Sequence, residues 1–428
     1  MIWGVNMSKV SVIMPVYNCV DVLKRAVEAV LNQTLGDIEL ILVDDCSDDG
    51  SGEIIDEYSK KHENVKAIHL SQNSKSPSKP RNIGIKLASA DYIMFQDADD
   101  EMNINACQYL YDVIVAEDAD IAGGFYRKNN DSGTFEIDYG FWEDIFCQES
   151  EINHEILESD ELFKYKINSI KENPRMLADH RLSSKIYKKS LFLDNDIEFC
   201  EDLQGGEDIL VLFNALIKAK GIVFINRVIY DYNMLNSNSL SKNISFKTVS
   251  DRLKAYSLMY ELAVSNDITE IFVIYLLGRK LNYWTSIHLT KSNLSRKEVI
   301  SLFKSYHILF SECRNYGVDF SQFFNELCEH IKNGEFEQAG DMIAPHQNPK
   351  ISIVLPVYNV SDHIQRAFDS ILNQTIGFEN LEVIFVDDAS TDGSDQIIKN
   401  YADKYDNVNG FFLENNSGSA GKPRNVGI

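Results

Sequence analysis

From residue 8 the chain alternates uninterrupted apolar runs with segments whose apolar residues recur every three or four positions. The run "KVSVIMPVYN", closed by Pro15 and Asn18, has the pattern of a strand buried on both faces of a parallel sheet. In "VDVLKRAVEAVLNQT" the residues Val22, Leu23, Ala26, Val27, Val30 and Leu31 share one helical face. "IELILVDD", "SGEIIDEYSKKH" and "VKAIHLS" repeat strand, helix and strand, and "DYIMFQDADDEM" adds a strand over residues 92–95. This β-α-β-α-β order predicts an α/β fold with a Rossmann-like, mostly parallel sheet and right-handed crossovers. Ligands bind beyond the carboxyl ends of such strands. The places of interest are therefore residues 15–18, residues 44–50 and a loop expected to hold residues 79–82.

The pattern returns late in the chain. "VSVIMPVYN" recurs as "ISIVLPVYN" from Ile351, "LVDDCSDDGS" as "FVDDASTDGS" from Phe385, and "KPRNIGI" (79–85) as "KPRNVGI" (422–428), with one two-residue insertion separating the copies. A period this long marks a duplicated domain, since solenoid repeats run about 20–50 residues. The expected organisation is a first domain over 8–244, a helical linker or extension over 245–345, and the first part of a second domain over 350–428. "SDRLKAYSLMYELAV", "EIFVIYLLGRKLNYWTSI" and "NLSRKEVISLF" supply the linker helices, the last with Ser295 and Glu298 at capping-box spacing. Phe323, Phe324, Leu327 and Ile331 continue the helical pattern, and "APHQNPK" marks the boundary. A spacer that orients the second domain and an acceptor-binding or dimerising surface are both compatible with these helices. The second copy reaches its KPRN phrase without counterparts of Asp97, Asp99 or Asp208. It is therefore expected to be a three-strand, two-helix piece of a longer tandem protein, contributing no turnover here.

Composition narrows the classes. The 428 residues, 44% hydrophobic and 25% charged, suit a globular protein, and a formal charge of −24 disfavours a nucleic-acid binder, which needs clustered Lys and Arg. Seven Cys without CxxC spacing suggest neither a zinc site nor a disulfide framework. No apolar run approaches the ~18–20 residues of a spanning helix, and the N-terminus lacks a secretory pattern. The expected setting is cytoplasmic, with room for peripheral association at the inner face of the membrane.

Asp97, Ala98, Asp99 and Asp100 follow the fourth strand, where ligands belong. Hard oxygen donors clustered this way suit Mg or Mn, with a nucleotide diphosphate completing the shell. An Asp-rich turn that merely caps a helix is the alternative. Asp48 and Asp49 before Gly50 have the character of turn residues, and Asp44 could satisfy loop N–H groups.

Taken together, "VSVIMPVYN", "NQT", "VDDCSDDGS", "KPRNIGI" and "DADD" resemble the family 2 glycosyltransferases of GT-A fold, closely over about the first hundred residues, more weakly to Asn238, and again from residue 350. The resemblance implies that Pro15, Val16, Tyr17 and Asn18 wall a nucleobase, usually uracil, and that Asp45 accepts from its ring N–H, with Asp44 supporting the loop. It places Arg81 near the diphosphate and assigns Asp97, Ala98 and Asp99 to the donor, Asp97 and Asp99 being the metal carboxylates. In "QGGEDILVLFNALIKA" it assigns Glu207 and Asp208 to catalysis, Asp208 as the base; Asp208 is equally suited to capping the helix that follows two loosening glycines. "SSKIYKKSLF" matches a strand near the acceptor, with His180 and Arg181 just before it. The implied activity is inverting, metal-dependent transfer from a nucleotide sugar, typically a UDP-sugar, to a saccharide or glycopolymer acceptor in envelope synthesis. A nucleotide-sugar- or carbohydrate-binding scaffold without turnover is the competing class.

Overall fold

The computed structural model describes residues 8–129, 135–138, 162–178, 181–233, 245–283, 285, 289, 294–319, 321–343, 351–376, 378, 381–405 and 407–427. Cys147, His180, Asn238 and the 344–350 boundary lie outside these residues. The chain groups into two compact units, 1–283 with 308–320, and 284–307 with 321–428.

The first unit is built on a sheet whose strands are β1 (Val10–Val16), β2 (Ile38–Asp44), β3 (Val65–His69), β4 (Tyr92–Phe95), β5 (Glu101–Met102), β6 (Ile121–Asn129), β7 (Phe135–Asp138), β8 (Lys164–Ile167), β9 (Lys185–Lys188) and β10 (Ile222–Tyr232). The order is β3-β2-β1-β4-β9-β6-β10-β5, with β7 on β6 and β8 on β10. Strands β3, β2, β1 and β4 are mutually parallel, as are β6 and β10, and β9 runs antiparallel between the two groups. The sheet is thus mostly parallel, as the alternation of strands and helices predicts. Helices α1 (Val20–Leu31), α2 (Ser51–Lys61), α3 (Ser78–Leu87) and α4 (Ala106–Ala116) follow the first strands, then α5 (Lys189–Leu193), α6 (Glu207–Lys218) and α7 (Phe246–Ser265).

The pleat sends Val10, Val12, Met14 and Val16 of β1 into one core with Leu23, Val27 and Val30 of α1 and Leu110, Val113 and Ile114 of α4. Ile13 points to the other face, where α3 crosses. A Cβ on Gly84 would sit 2.3 Å from Ile13 Cγ2, so a glycine is required for α3 to lie this close to the strand. The phrase "KPRN" is consequently helical, correcting the expected loop over 79–82. Pro80 is tolerated because the first-turn N–H of a helix has no partner inside the helix. On the same face Phe95, Tyr187, Phe192 and Phe199 form an aromatic cluster, with ring centroids 5.5 Å apart for Phe95–Phe199 and 5.9 Å for Phe95–Tyr187.

In the second unit Ser295 and Glu298 form the capping box at the start of helix Arg296–Ser305. Phe324, Leu327 and Ile331 are buried on helix Gln322–Lys332. Arg296 pairs with Glu337 and Asp341 of helix Phe336–Ile343 at 2.7 and 2.6 Å. The second copy folds as a parallel sheet in the order β11-β12-β13, where β11 is Ile351–Val357, β12 Leu381–Asp387 and β13 Val408–Phe412. Its helices are Ser361–Leu372, Ser394–Lys404 and Gly421–Gly427, three rather than the expected two, because the second KPRN phrase is helical as well. Gly427 repeats the close approach, its Cβ position lying 2.4 Å from Val354. The two-residue insertion falls between helix and second strand, in residues 373–380 against 32–37 of the first copy.

Candidate active site

The carboxyl ends of β1 and β2 are tied into one rigid rim. Asn18, in the left-handed region at φ 44°, donates from Nδ2 to Asp48 Oδ1 (2.8 Å) and accepts from the Asp48 N–H (3.0 Å). Asp49 accepts from the N–H groups of Val20 and Ser51, so Asp48 and Asp49 act as turn residues. Asp44 Oδ1 accepts from the Ser47 N–H at 3.1 Å, which makes it a support of the loop. The Asp45 carboxylate, buried, accepts from the Ser74 N–H and Oγ (2.9 Å each), and burial pushes its pKa up. Val16 is buried, Pro15 is half-buried, and Tyr17 stands 52% exposed beside them. The second copy repeats the arrangement: Asp388 accepts from Ser417, Asn359 from Thr391, and Tyr358 is exposed.

One member of this rim has no counterpart. His69, absent from the sequence-based candidates, lies between Asp44 Oδ2 and Asp56 Oδ1, at 3.1 Å from each. Burial disfavours its charge, yet the bonds to Asp56 and Asp44 outweigh burial and raise its pKa. In the second copy register places Phe412 there, and Asp387 Oδ1 is buried without a partner. A raised folded-state pKa stabilises fully below the usual His value of about 6.5, and that stabilisation is lost as pH rises through the raised value. His69→Phe is therefore expected to lower the thermal midpoint more at about pH 5.5 than at about pH 9. Equal shifts at both pH values would remove His69 from the rim's electrostatics.

Three motifs distant in sequence converge beyond β4. Arg81, 6% exposed on the first turns of α3, donates from Nη2 to Asp97 Oδ1 (2.8 Å) and from Nη1 to Glu207 Oε1 (3.5 Å). Its guanidinium lies over the Phe199 ring, 5.3 Å from the centroid. Burial opposes the charge of Arg81, but Asp97, Glu207 and Asp208 hold it firmly cationic. Glu207 and Asp208 open α6 after Gly206, whose φ of 84° is a left-handed requirement rather than mere looseness. Asp208 Oδ1 accepts from the Ile209 N–H (2.8 Å) and the carboxylate remains partly exposed. Burial and the neighbouring charge of Asp208 raise the pKa of Glu207, and Arg81 works against them.

Around the carboxylate loop, Ala98 is buried and Asp99 partly exposed, with its backbone oxygen accepting from Arg25 (3.1 Å). Asp97 Oδ2 accepts from Ser183 Oγ at 3.4 Å, and its N–H donates to the Tyr230 hydroxyl at 3.1 Å. Tyr230 and Ser183 were not among the candidates. A tyrosine inside the apolar run of β10 has the signature of core, and only the sheet order brings it to this loop. Asp100 is buried, accepts from the Asn233 N–H (2.8 Å), and leaves Oδ2 without a partner. Burial and the charges of Asp97 and Asp99 raise its pKa.

These residues fit a divalent cation. Asp97, Asp99, Asp100 and Glu207 outnumber the guanidinium groups of Arg81 and Arg25, the buried Asp100 Oδ2 is orphaned, and Asp97 and Asp99 are partly exposed. No group of three or more His, Cys, Asp or Glu poised to hold a metal occurs among the described residues. Mg and Mn are bound through one or two carboxylates together with substrate phosphates.

A mostly parallel sheet flanked by helices, with a carboxylate loop after its fourth strand, has the GT-A fold. The fold matches that of Staphylococcus aureus TarS 1-349 in complex with UDP-GlcNAc, at a TM-score of 0.62 and 21% identity over 78% of this chain and 90% of that one. The chain belongs to glycosyl transferase family 2, whose profile matches residues 11–169 and 352–427. It is 32% identical to the poly(ribitol-phosphate) beta-glucosyltransferase of Bacillus spizizenii over half of this chain, a match that spans only 30% of that enzyme's length. It is 30% identical to glycosyltransferase GlyG of Streptococcus pneumoniae, over 58% of this chain and 78% of that protein. It is also 32% identical to the poly(ribitol-phosphate) beta-N-acetylglucosaminyltransferase TarP of S. aureus, over 58% of this chain and 72% of that protein.

Proposed function

We propose that the chain is an inverting, metal-dependent glycosyltransferase that moves a sugar from a UDP-sugar to a hydroxyl of a cell-surface glycopolymer, acting at the cytoplasmic face of the membrane. The observation that carries this reading is the ion-paired bridge from Asp97 through Arg81 to Glu207, with Asp208 beside it. It ties a donor-side carboxylate to the helix start that carries the candidate base. The nucleobase lies against Pro15, Val16, Tyr17 and Asn18, its ring N–H directed to Asp45. Asp208 removes the acceptor hydroxyl proton, the oxygen bonds to the anomeric carbon from the face opposite the diphosphate, and the carbon–oxygen bond to the diphosphate breaks. Asp99 and Asp97 would hold a divalent cation, whose charge would offset that of the departing diphosphate. The poly(ribitol-phosphate) relatives support a glycopolymer acceptor. No described helix is long and apolar enough to cross a membrane.

Release of UDP from UDP-glucose and UDP-N-acetylglucosamine with Mn, in the presence of poly(ribitol phosphate), tests the activity. Binding without any release would favour a non-catalytic scaffold. The metal assignment has its own expected result. Asp99→Asn is expected to remove the Mn-dependent part of UDP affinity, a weakening of at least about tenfold by calorimetry, with the fold intact. Unchanged Mn-dependent affinity would sink the assignment.

A further inference from the structure

Asn82 is buried, and its side-chain hydrogen bonds go to Phe199 and Glu201. Its side chain grips the main chain of Phe199 as a strand would: Nδ2 donates to the Phe199 carbonyl (2.9 Å) and Oδ1 accepts from the Phe199 N–H (2.8 Å). Nδ2 also reaches Glu201 Oε1 at 3.2 Å. Phe199 begins the strap that leads to Glu207. The strap's far end is fastened by Asp251 of α7, whose Oδ2 accepts from the Gln204 N–H at 3.0 Å, directly before the Gly205–Gly206 turn. Asn82 itself sits on a helix packed closely onto the sheet, with Gly84 against Ile13 of β1. The strap therefore hangs between two fixed points, and α6 starts where it ends.

We infer that Asn82 is a positioning residue that sets where Asp208 stands relative to the bound donor. This rests on the proposed activity. The KPRN phrase then has two tasks on adjacent residues: Arg81 joins the donor loop to Glu207, and Asn82 fixes the segment that delivers Glu207 and Asp208. All three hydrogen bonds of Asn82 go to the strap, so its loss acts on the chemical step and spares donor binding.

Asn82→Asp keeps the acceptor for the Phe199 N–H, removes the donor from the Phe199 carbonyl, and sets a second carboxylate against Glu201. With UDP-N-acetylglucosamine, Mn and poly(ribitol phosphate), kcat is expected to fall about 10²-fold, the scale of a misplaced reacting group, with donor KM and UDP affinity within about threefold. Adding Glu201→Gln, which restores a donor opposite the new carboxylate, is expected to recover kcat by at least about tenfold. Should the aspartate variant not fold, Asn82→Ser is expected to show the same split between kcat and KM. An unchanged kcat, a loss of UDP affinity equal to the loss of rate, or no recovery in the double variant would overturn the inference. A wild-type chain that releases no UDP sinks the proposed activity instead.

Discussion

Replacing Asp208 with Asn is expected to lower transfer by about 10²-fold or more while leaving UDP affinity within a few-fold, the scale of a lost general base. The substitution separates the two roles that a carboxylate in this place can have. As a cap, Asp208 offers its Oδ1 to the Ile209 N–H in the first turn of α6. Asn keeps the acceptor for that N–H and loses only the first-turn charge, so a helix-end role predicts an unchanged rate and a stability loss of at most about 1 kcal/mol. As a base, the group needs a carboxylate, and an amide cannot take the proton. The variant also relieves Glu207, whose pKa is raised by burial first and by the Asp208 charge second. The ionisation of Glu207 should therefore move downward in the variant, visible by NMR titration. Transfer at the wild-type rate would leave Asp208 as a helix cap.

The elements legible in the sequence are those whose pattern is local. Strands β1 to β4 appear where apolar runs end in polar or turn-forming residues, and α1, α2 and α6 where the 3.6-residue period is regular. The turn role of Asp48 and Asp49 was legible from Gly50 and Ser51 beside them, although the hydrogen bonds that fix the turn reach back to Asn18 and Val20 of the preceding motif. The helix over KPRN was hidden because Pro reads as punctuation, while its place in a first turn and the need for Gly84 against Ile13 depend on packing. Strand β9 was placed near the acceptor, but its insertion between β4 and β6 is a pairing across many residues that no period encodes. The same holds for Tyr230, Ser183 and Ser74, each an ordinary residue until the sheet sets it beside Asp97 or Asp45. His69 carried one local signal: the repeat has Phe412 in its place, so the two copies differ where the rest of the rim is duplicated.

Arg81→Met is expected to destabilise the fold by about 3–5 kcal/mol in denaturant unfolding, the range for removing one partner of a buried ion pair. The methionine fills much of the volume and can still lie on Phe199, so packing accounts for little of the loss. What remains is two carboxylates, Asp97 and Glu207, without the guanidinium that reaches both. Burial already raises the pKa of Glu207 and Arg81 lowers it, so removing Arg81 raises it further. A folded state that binds more protons than the unfolded chain loses stability as pH rises. The variant's deficit is therefore expected to be larger at about pH 8 than at about pH 6, where Glu207 takes up a proton. Arg81→Lys should rescue only in part, because an ammonium group lacks the planar fork that serves two carboxylates at once. The alternative role, contact with the diphosphate, predicts a different pattern. A diphosphate ligand would weaken UDP binding while leaving the unliganded protein stable. Stability within about 1 kcal/mol of wild type, together with lost UDP affinity, would assign Arg81 to the donor and not to the bridge.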